Sequence, residues 1–290
     1  MIKRSFCIGF SDLTVKFLFP SKVNLPDFFN DLLCEDTDSP HAEYQIELLS
    51  SPLCPEGFLV FEQKDISVYR TNDGWLRIYN PLKADDGCCV ACLIRENGKH
   101  SLYYPASMWE HYSSYFHCTH LLCGELMLLL QNAMLLHSSV VMINNKTVLF
   151  CGPSGAGKST QAKLWKTHKN ALILNGDRAV IMKKNSKFFA GGSIWCGTSG
   201  IYRSEQREIA GIFTLRKHSE NSVRPLTKEA FPMLFSQTTV NSWDKDFVDK
   251  ICSLYTQLLS SVPVYELSCR ADKEAVDLAY NTLFLKEDMR

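Results

Sequence analysis

Eight consecutive residues constrain this chain more than any other feature: Gly152-Pro153-Ser154-Gly155-Ala156-Gly157-Lys158-Ser159. They fit the pattern G-x-x-x-x-G-K-[ST], the phosphate-binding P-loop. A polyphosphate needs many aligned donors and a cation. Glycines let successive backbone N–H groups turn toward one anion, and a helix starting at the end of the loop adds the positive end of its dipole. Lys158 can reach the outer phosphates, and the Ser159 hydroxyl can ligate Mg²⁺. The pattern therefore predicts a nucleotide held on residues 152–160, from Gly152 through Thr160.

The flanks support that reading. Thr147-Val148-Leu149-Phe150-Cys151 is β-branched and apolar and reads as a buried strand. Residues 159–169 carry Ala162, Leu164 and Trp165 among polar positions and read as a helix. Strand, loop and helix form the context that this motif requires.

The rest of the chain sets bounds. Its 290 residues suit one large or two medium domains. Lys and Arg number 31, as do Asp and Glu, so the net charge is zero and no basic footprint for nucleic acid or an anionic membrane is expected. The most apolar stretch, 121–136, is interrupted by Gly124, Glu125, Gln131 and Asn132, so no membrane span is expected. The first residues, Met1-Ile2-Lys3-Arg4-Ser5-Phe6, do not read as a signal peptide, and a cytoplasmic protein is expected. Its 12 cysteines are then expected as reduced thiols. Two clusters, Cys88-Cys89-Val90-Ala91-Cys92 and His117 to Cys123, have spacings that could ligate zinc, but their apolar surroundings favour buried, inert thiols.

Residues 1–104 read mainly as short alternating strands, with hairpin signals at Asn72-Asp73-Gly74 and Asn97-Gly98. This region is a candidate for substrate or partner recognition. Pro105 is expected to open a helix that connects the two parts over 105–134. The region 135–290 reads as an α/β (α+β) nucleotide-binding domain. Its expected strands are 138–143, 147–151, 171–174, 179–183, 187–190, 211–216 and 264–267. Its expected helices, besides 159–169, are 227–235, 244–260 and 273–285.

Phosphoryl transfer also needs a metal-binding carboxylate. Asp177 follows the apolar strand Ala171-Leu172-Ile173-Leu174, where an acid could hold Mg²⁺ directly or through water. A turn aspartate in Asn175-Gly176-Asp177 is the competing reading. His137 stands just before the expected strand 138–143. Arg178, Arg203 and Arg207 are candidate clamps for phosphate or substrate. Trp195-Cys196-Gly197-Thr198 fits a loop near the nucleotide or a core segment equally well.

Taken together, Leu136-His137-Ser138-Ser139-Val140, the run from Gly152 to Thr160 and the strand ending at Asp177 resemble the catalytic domain of the HPr kinase/phosphorylase family, which is related to ATP-dependent phosphoenolpyruvate carboxykinase. The stretches Ile209-Ala210-Gly211-Ile212-Phe213-Thr214-Leu215 and Val262-Pro263-Val264-Tyr265-Glu266-Leu267 resemble small HPr-kinase-like proteins associated with peptide maturation. The resemblance covers roughly residues 135–285. It implies a mixed-sheet P-loop domain, ATP and Mg²⁺ as cofactors, Lys158, Asp177 and His137 in catalytic roles, and Ser159 and Asp177 at the metal, and it makes Glu208 a candidate metal-linked carboxylate. The acceptor it implies is a hydroxyl, with a serine of a peptide or protein as the expected one. ATP is taken by default, since no base-recognition motif is visible, and homo-oligomerisation is left open.

Two departures stand out. The family has Asp-Asp where this chain has Gly176-Asp177, so the acid that activates the acceptor serine has no counterpart in this alignment. Either the alignment shifts by one, or another group serves, or activity is weak or absent. In addition, residues 1–104 do not match the family's N-terminal domain. A non-catalytic or hydrolytic nucleotide switch is therefore a rival, and a carboxykinase-like or small-molecule kinase is a second one.

Overall fold

The computed structural model describes residues 4–20, 27–79, 89–112 and 115–285. Cys88 lies outside the described residues. The chain divides into two compact units. One comprises residues 1–9 and 13–131, the other residues 10–12 and 132–290.

The first unit contains a nine-stranded sheet. Its strands are β1 (Arg4–Phe10), β2 (Leu13–Phe19), β3 (Leu33–Cys34), β4 (Ala42–Leu49), β5 (Phe58–Gln63), β6 (Ile66–Arg70), β7 (Gly74–Tyr79), β8 (Val90–Arg95) and β9 (Lys99–Pro105). They are ordered β3-β1-β2-β4-β9-β8-β7-β6-β5. Burial alternates along β2 and β4, as expected of strands with one face on a core. On that face the rings of Phe6, Phe17 and Tyr44 stack. The Asn97-Gly98 hairpin forms, with Gly98 at φ 75°. Gly74, expected in a turn, is instead the first residue of β7. A Cβ there would lie 1.9 Å from the Ile94 carbonyl oxygen, so close strand approach is what requires the glycine.

The single helix expected over 105–134 is not formed. Short helices α1 (Trp109–Tyr112), α2 (Tyr115–His120) and α3 (Gly124–Leu130) occupy this stretch. Two residues break the path. Cys123 takes a left-handed conformation at φ 47° just before α3, and Asn132 does so at φ 53° just after it. Ala133 and Met134 then belong to a strand. Glu125 of α3 is buried, and its carboxylate lies 2.5 Å from Arg77 of β7. A buried charge of this kind is tolerated only when paired.

The second unit is a mixed α/β fold. Its strands are β10 (Ala133–Ile143), β11 (Lys146–Cys151), β12 (Leu172–Asn175), β13 (Arg178–Lys184), β14 (Lys187–Gly191), β15 (Gln206–Lys217), β16 (Ser222–Pro225) and β17 (Val264–Cys269). Its helices are α4 (Lys158–Lys169), α5 (Ala230–Phe235), α6 (Lys245–Ser261) and α7 (Lys273–Phe284). Two long strands organise it. The first half of β10 pairs with β13, and the second half pairs with β11 and β12. Likewise β15 pairs with β14 at its start and runs parallel between β11 and β17 further on. Val148, Phe150, Phe213, Leu215 and Leu267 form one sheet face, against which Ala162 and Trp165 of α4 and Ala275, Val276 and Ala279 of α7 pack. Asp272 caps α7 by accepting a hydrogen bond from the Ala275 amide at 3.0 Å, and Asp244 caps α6 in the same way. No described helix is long and apolar enough to cross a membrane.

Candidate functional site

The motif loop lies between β11 and α4. Gly152, Gly155 and Gly157 have φ of 143°, 77° and 104°, conformations that side-chain-bearing residues resist. A Cβ at Gly155 or Gly157 would meet nothing within 4 Å, so conformation, not crowding, requires these two glycines. Gly157 precedes the first turn of α4, and no side chain caps that turn. Its amides are thus free to meet an anion. The buried Lys158 ammonium donates to the Gly152 carbonyl at 2.8 Å and the Pro153 carbonyl at 3.2 Å, which holds the cation inside the loop. Burial lowers the Lys158 pKa, opposed by the nearby Asp177 carboxylate. Ser159 and Thr160 are exposed at the start of the helix.

Strand β10 brings the second half of the site alongside. Ser138 pairs with Cys151, the last residue before the loop, and His137 pairs with Arg178. The loop and the Asp177 turn therefore flank two consecutive residues. His137, expected just ahead of a strand, lies in the middle of one. Its Nε2 is 3.4 Å from Asp177 Oδ1. The His137 hydrogen bond holds the Asp177 carboxyl below its ordinary pKa, with Arg178 and Lys158 adding to the effect. Arg178 Nη1 donates to Thr239 Oγ1 at 2.9 Å, and its Nε is 3.5 Å from Asp177 Oδ2.

A Cβ added at Gly197 would lie 2.7 Å from the Asp177 carboxyl carbon, so the segment after Trp195 closes directly onto the acid. Trp195 itself is buried, edge-on to Phe10. Ser199 covers Gly176: a Cβ at 176 would lie 2.4 Å from Ser199 Oγ. The space that a side chain at 176 would need is already filled.

Other candidates lie elsewhere. Glu208 pairs with Lys146 at 2.9 Å and Lys187 at 3.1 Å, and Arg207 donates to Asn145 Oδ1 at 2.7 Å. Lys146 begins β11 and the loop follows its other end, so Glu208 and Arg207 stabilise the far edge of the sheet and are not part of the site. Arg203 is exposed, next to Tyr202, which bridges to Asn175. Cys89, Cys92, Cys118 and Cys123 are buried, and burial pushes Cys118 up to about 12. Among the described residues no group of three His, Cys, Asp or Glu side chains is arranged to hold a metal.

Sequence reasoning assigned no role to Ser139, Ser193 or Thr239, nor to the Asn175 side chain. All four hydrogen-bond the Asp177–Arg178 turn, largely through its backbone. Partners of that kind leave no motif.

No family model matches the chain, and no curated protein does. Among solved structures it is similar to the Hpr(Ser) kinase/phosphatase from Coxiella burnetii, at 11% identity and a TM-score of 0.32 over 53% of this chain and 98% of that one. A likeness at that level carries no conclusion about this chain.

Proposed function

We propose that the chain is an ATP-dependent phosphotransferase that moves the γ-phosphoryl group to a hydroxyl, with a serine of a peptide or protein as acceptor. One observation carries this reading. The pairing of β10 sets an uncapped, glycine-rich helix start with a buried lysine beside an ionised carboxylate that is already braced by a histidine. These are the parts that phosphoryl transfer uses, because its loose transition state needs positioning and charge stabilisation more than a strong base.

The residues fit ATP and Mg²⁺. The amides of 155–159 would hold the phosphates, and the Ser159 hydroxyl and Asp177 carboxylate would hold the cation. Bound Mg²⁺ would neutralise charge on the β- and γ-phosphates. Lys158, released from its two carbonyls, stabilises charge on the group in transfer. His137 and Arg178 keep Asp177 ionised and aimed, and His137 lines the site as a polar or phosphate-contacting group. The acceptor oxygen bonds to the γ-phosphorus as the bond to the bridging oxygen breaks, and the hydroxyl proton leaves to water.

The filled space at Gly176 favours a second reading, a nucleotide-binding switch that transfers nothing or hydrolyses slowly. The two separate on incubation with γ-labelled ATP, Mg²⁺ and peptides encoded by neighbouring genes. Label on a peptide that vanishes with Lys158→Ala supports the kinase. Nucleotide bound and never transferred supports the switch. Phosphoenolpyruvate formed from oxaloacetate would overturn both in favour of carboxykinase chemistry.

A further inference from the structure

The turn that carries Asp177 is held by buried side chains from three segments. Ser139 Oγ, on β10, donates to the Gly176 carbonyl at 3.0 Å. Asn175 Oδ1, at the end of β12, accepts from the amides of Asp177 at 2.8 Å and Arg178 at 2.9 Å. Ser193 Oγ, beyond β14, donates to the Arg178 carbonyl at 2.6 Å. The Asn175 amide nitrogen then donates to Ser193, to its carbonyl at 3.1 Å and its hydroxyl at 3.2 Å, which closes the network. Ser139, Asn175 and Ser193 are each 0% exposed.

Their surroundings make this notable. Val140, Leu174 and Ile194, which neighbour these residues in sequence, are each 0% exposed. Polar groups in such a place are tolerated only when fully hydrogen-bonded, and a satisfied buried network rigidifies what it holds. Ser139 and Ser193 do not bond each other, and both direct a hydrogen bond to the backbone of 176–178. We infer that Ser139, Asn175 and Ser193 are positioning residues that fix the aim of the Asp177 carboxylate toward a divalent cation. This rests on the reading above, in which Asp177 holds Mg²⁺. Groups that orient a metal ligand without touching the metal change metal affinity about 10- to 100-fold when removed.

The test is binding, with the full chain, a non-hydrolysable ATP analogue and Mg²⁺ as probes. Nucleotide affinity is measured over a series of Mg²⁺ concentrations for wild type, Asp177→Asn, Ser139→Ala, Ser193→Ala, Asn175→Ala and Ser139→Thr. Thr147→Val serves as control. Thr147 is also 0% exposed and also donates to backbone carbonyls, those of Arg207 and Glu208, but at the far end of β11. Thermal unfolding is followed for every variant. The two serine-to-alanine variants are expected to raise the Mg²⁺ needed for half-maximal tightening about tenfold or more, with metal-free nucleotide affinity unchanged. Thr147→Val should lower the melting temperature to a similar degree and leave the Mg²⁺ dependence alone, and Ser139→Thr, which keeps the hydroxyl, should retain the wild-type Mg²⁺ dependence. If Asp177→Asn shifts the Mg²⁺ dependence and Ser139→Ala and Ser193→Ala do not, the inference is overturned and the proposed function stands. If wild type and Asp177→Asn respond alike to Mg²⁺, the metal role of Asp177 fails and the inference falls with it.

Discussion

Placing an acid at position 176 asks directly whether the fold leaves room for a side chain there. An ideal Cβ at Gly176 lies 2.4 Å from Ser199 Oγ and 2.5 Å from Ser199 Cβ. Carbon atoms in contact prefer about 3.5–4.0 Å, so Ser199 must retreat by roughly 1 Å. Ser199 is exposed, but retreat costs it two hydrogen bonds: its Oγ donates to the Cys196 carbonyl at 2.6 Å and accepts from the Ile201 amide at 3.2 Å. Losing those bonds costs about 0.5–1.5 kcal/mol each, and overpacking costs about 1–3 kcal/mol in general. The two effects overlap, because retreat relieves the overlap while it breaks the bonds. Gly176→Asp is thus expected to destabilise by about 2–3 kcal/mol, which in a unit of this size lowers the melting temperature by about 5–10 °C. Ser199→Gly should recover most of that loss in the double variant, giving a coupling of about 1 kcal/mol or more in a double-mutant cycle followed by calorimetry. The proposed phosphoryl transfer should not rise in the single variant, since Ser199 shares one short turn with Gly197, which backs the Asp177 carboxyl. A Gly176→Asp protein that melts with wild type would refute the reasoning, and so would a cycle without coupling.

Two further outcomes are expected. Burial holds His100 down at about 4, against 6.5 in the unfolded chain, with Nδ1 accepting from the Arg95 amide at 3.2 Å. The unfolded state therefore takes up a proton first as pH falls, and stability is lost between about pH 6.5 and 4, by about 3 kcal/mol in all; denaturant titrations across that range should show the loss and His100→Gln should flatten it. Cys34 and Cys54 are exposed whereas burial pushes Cys118 and Cys151 up to about 12, so a thiol reagent followed by mass mapping should modify the first pair in the native protein and the second pair only at the rate of unfolding.

The local elements of the site were legible because they are written in short-range chemistry. The β-branched run 147–151, the glycines after it and the helix from Lys158 follow from residue type and spacing alone. Asp177 was legible as the acid beyond an apolar strand end. What was not legible depends on register between distant strands. Arg207 reads as a phosphate clamp from its residue type, and Glu208 as a metal-linked carboxylate from the family resemblance alone; both lie in β15. Pairing of Thr147 with Ile209 puts them at the opposite end of β11 from the loop. The unbroken helix expected over 105–134 failed for a different reason. Its leucine-rich pattern suits a helix, but left-handed turns at Cys123 and Asn132 divide it, and neither residue is an obligatory breaker. The length of β10 was hidden too, because Leu135 and Leu136 are buried between neighbours that only the folded sheet supplies.

The arrangement of β10 also limits how this site can change over time. One peptide step, about 3.3 Å, separates the residue that faces the loop from the residue that faces the acid's turn. Adding or deleting a residue there would turn one half of the strand over, face for face, and detach one part of the site from the other. The lineage of this protein can alter the site by substitution, or by changing the lengths of the segments 192–205 and 236–240 that border it. It cannot do so by resizing the strand that measures the site, so the glycine-loop half and the acid half are inherited together.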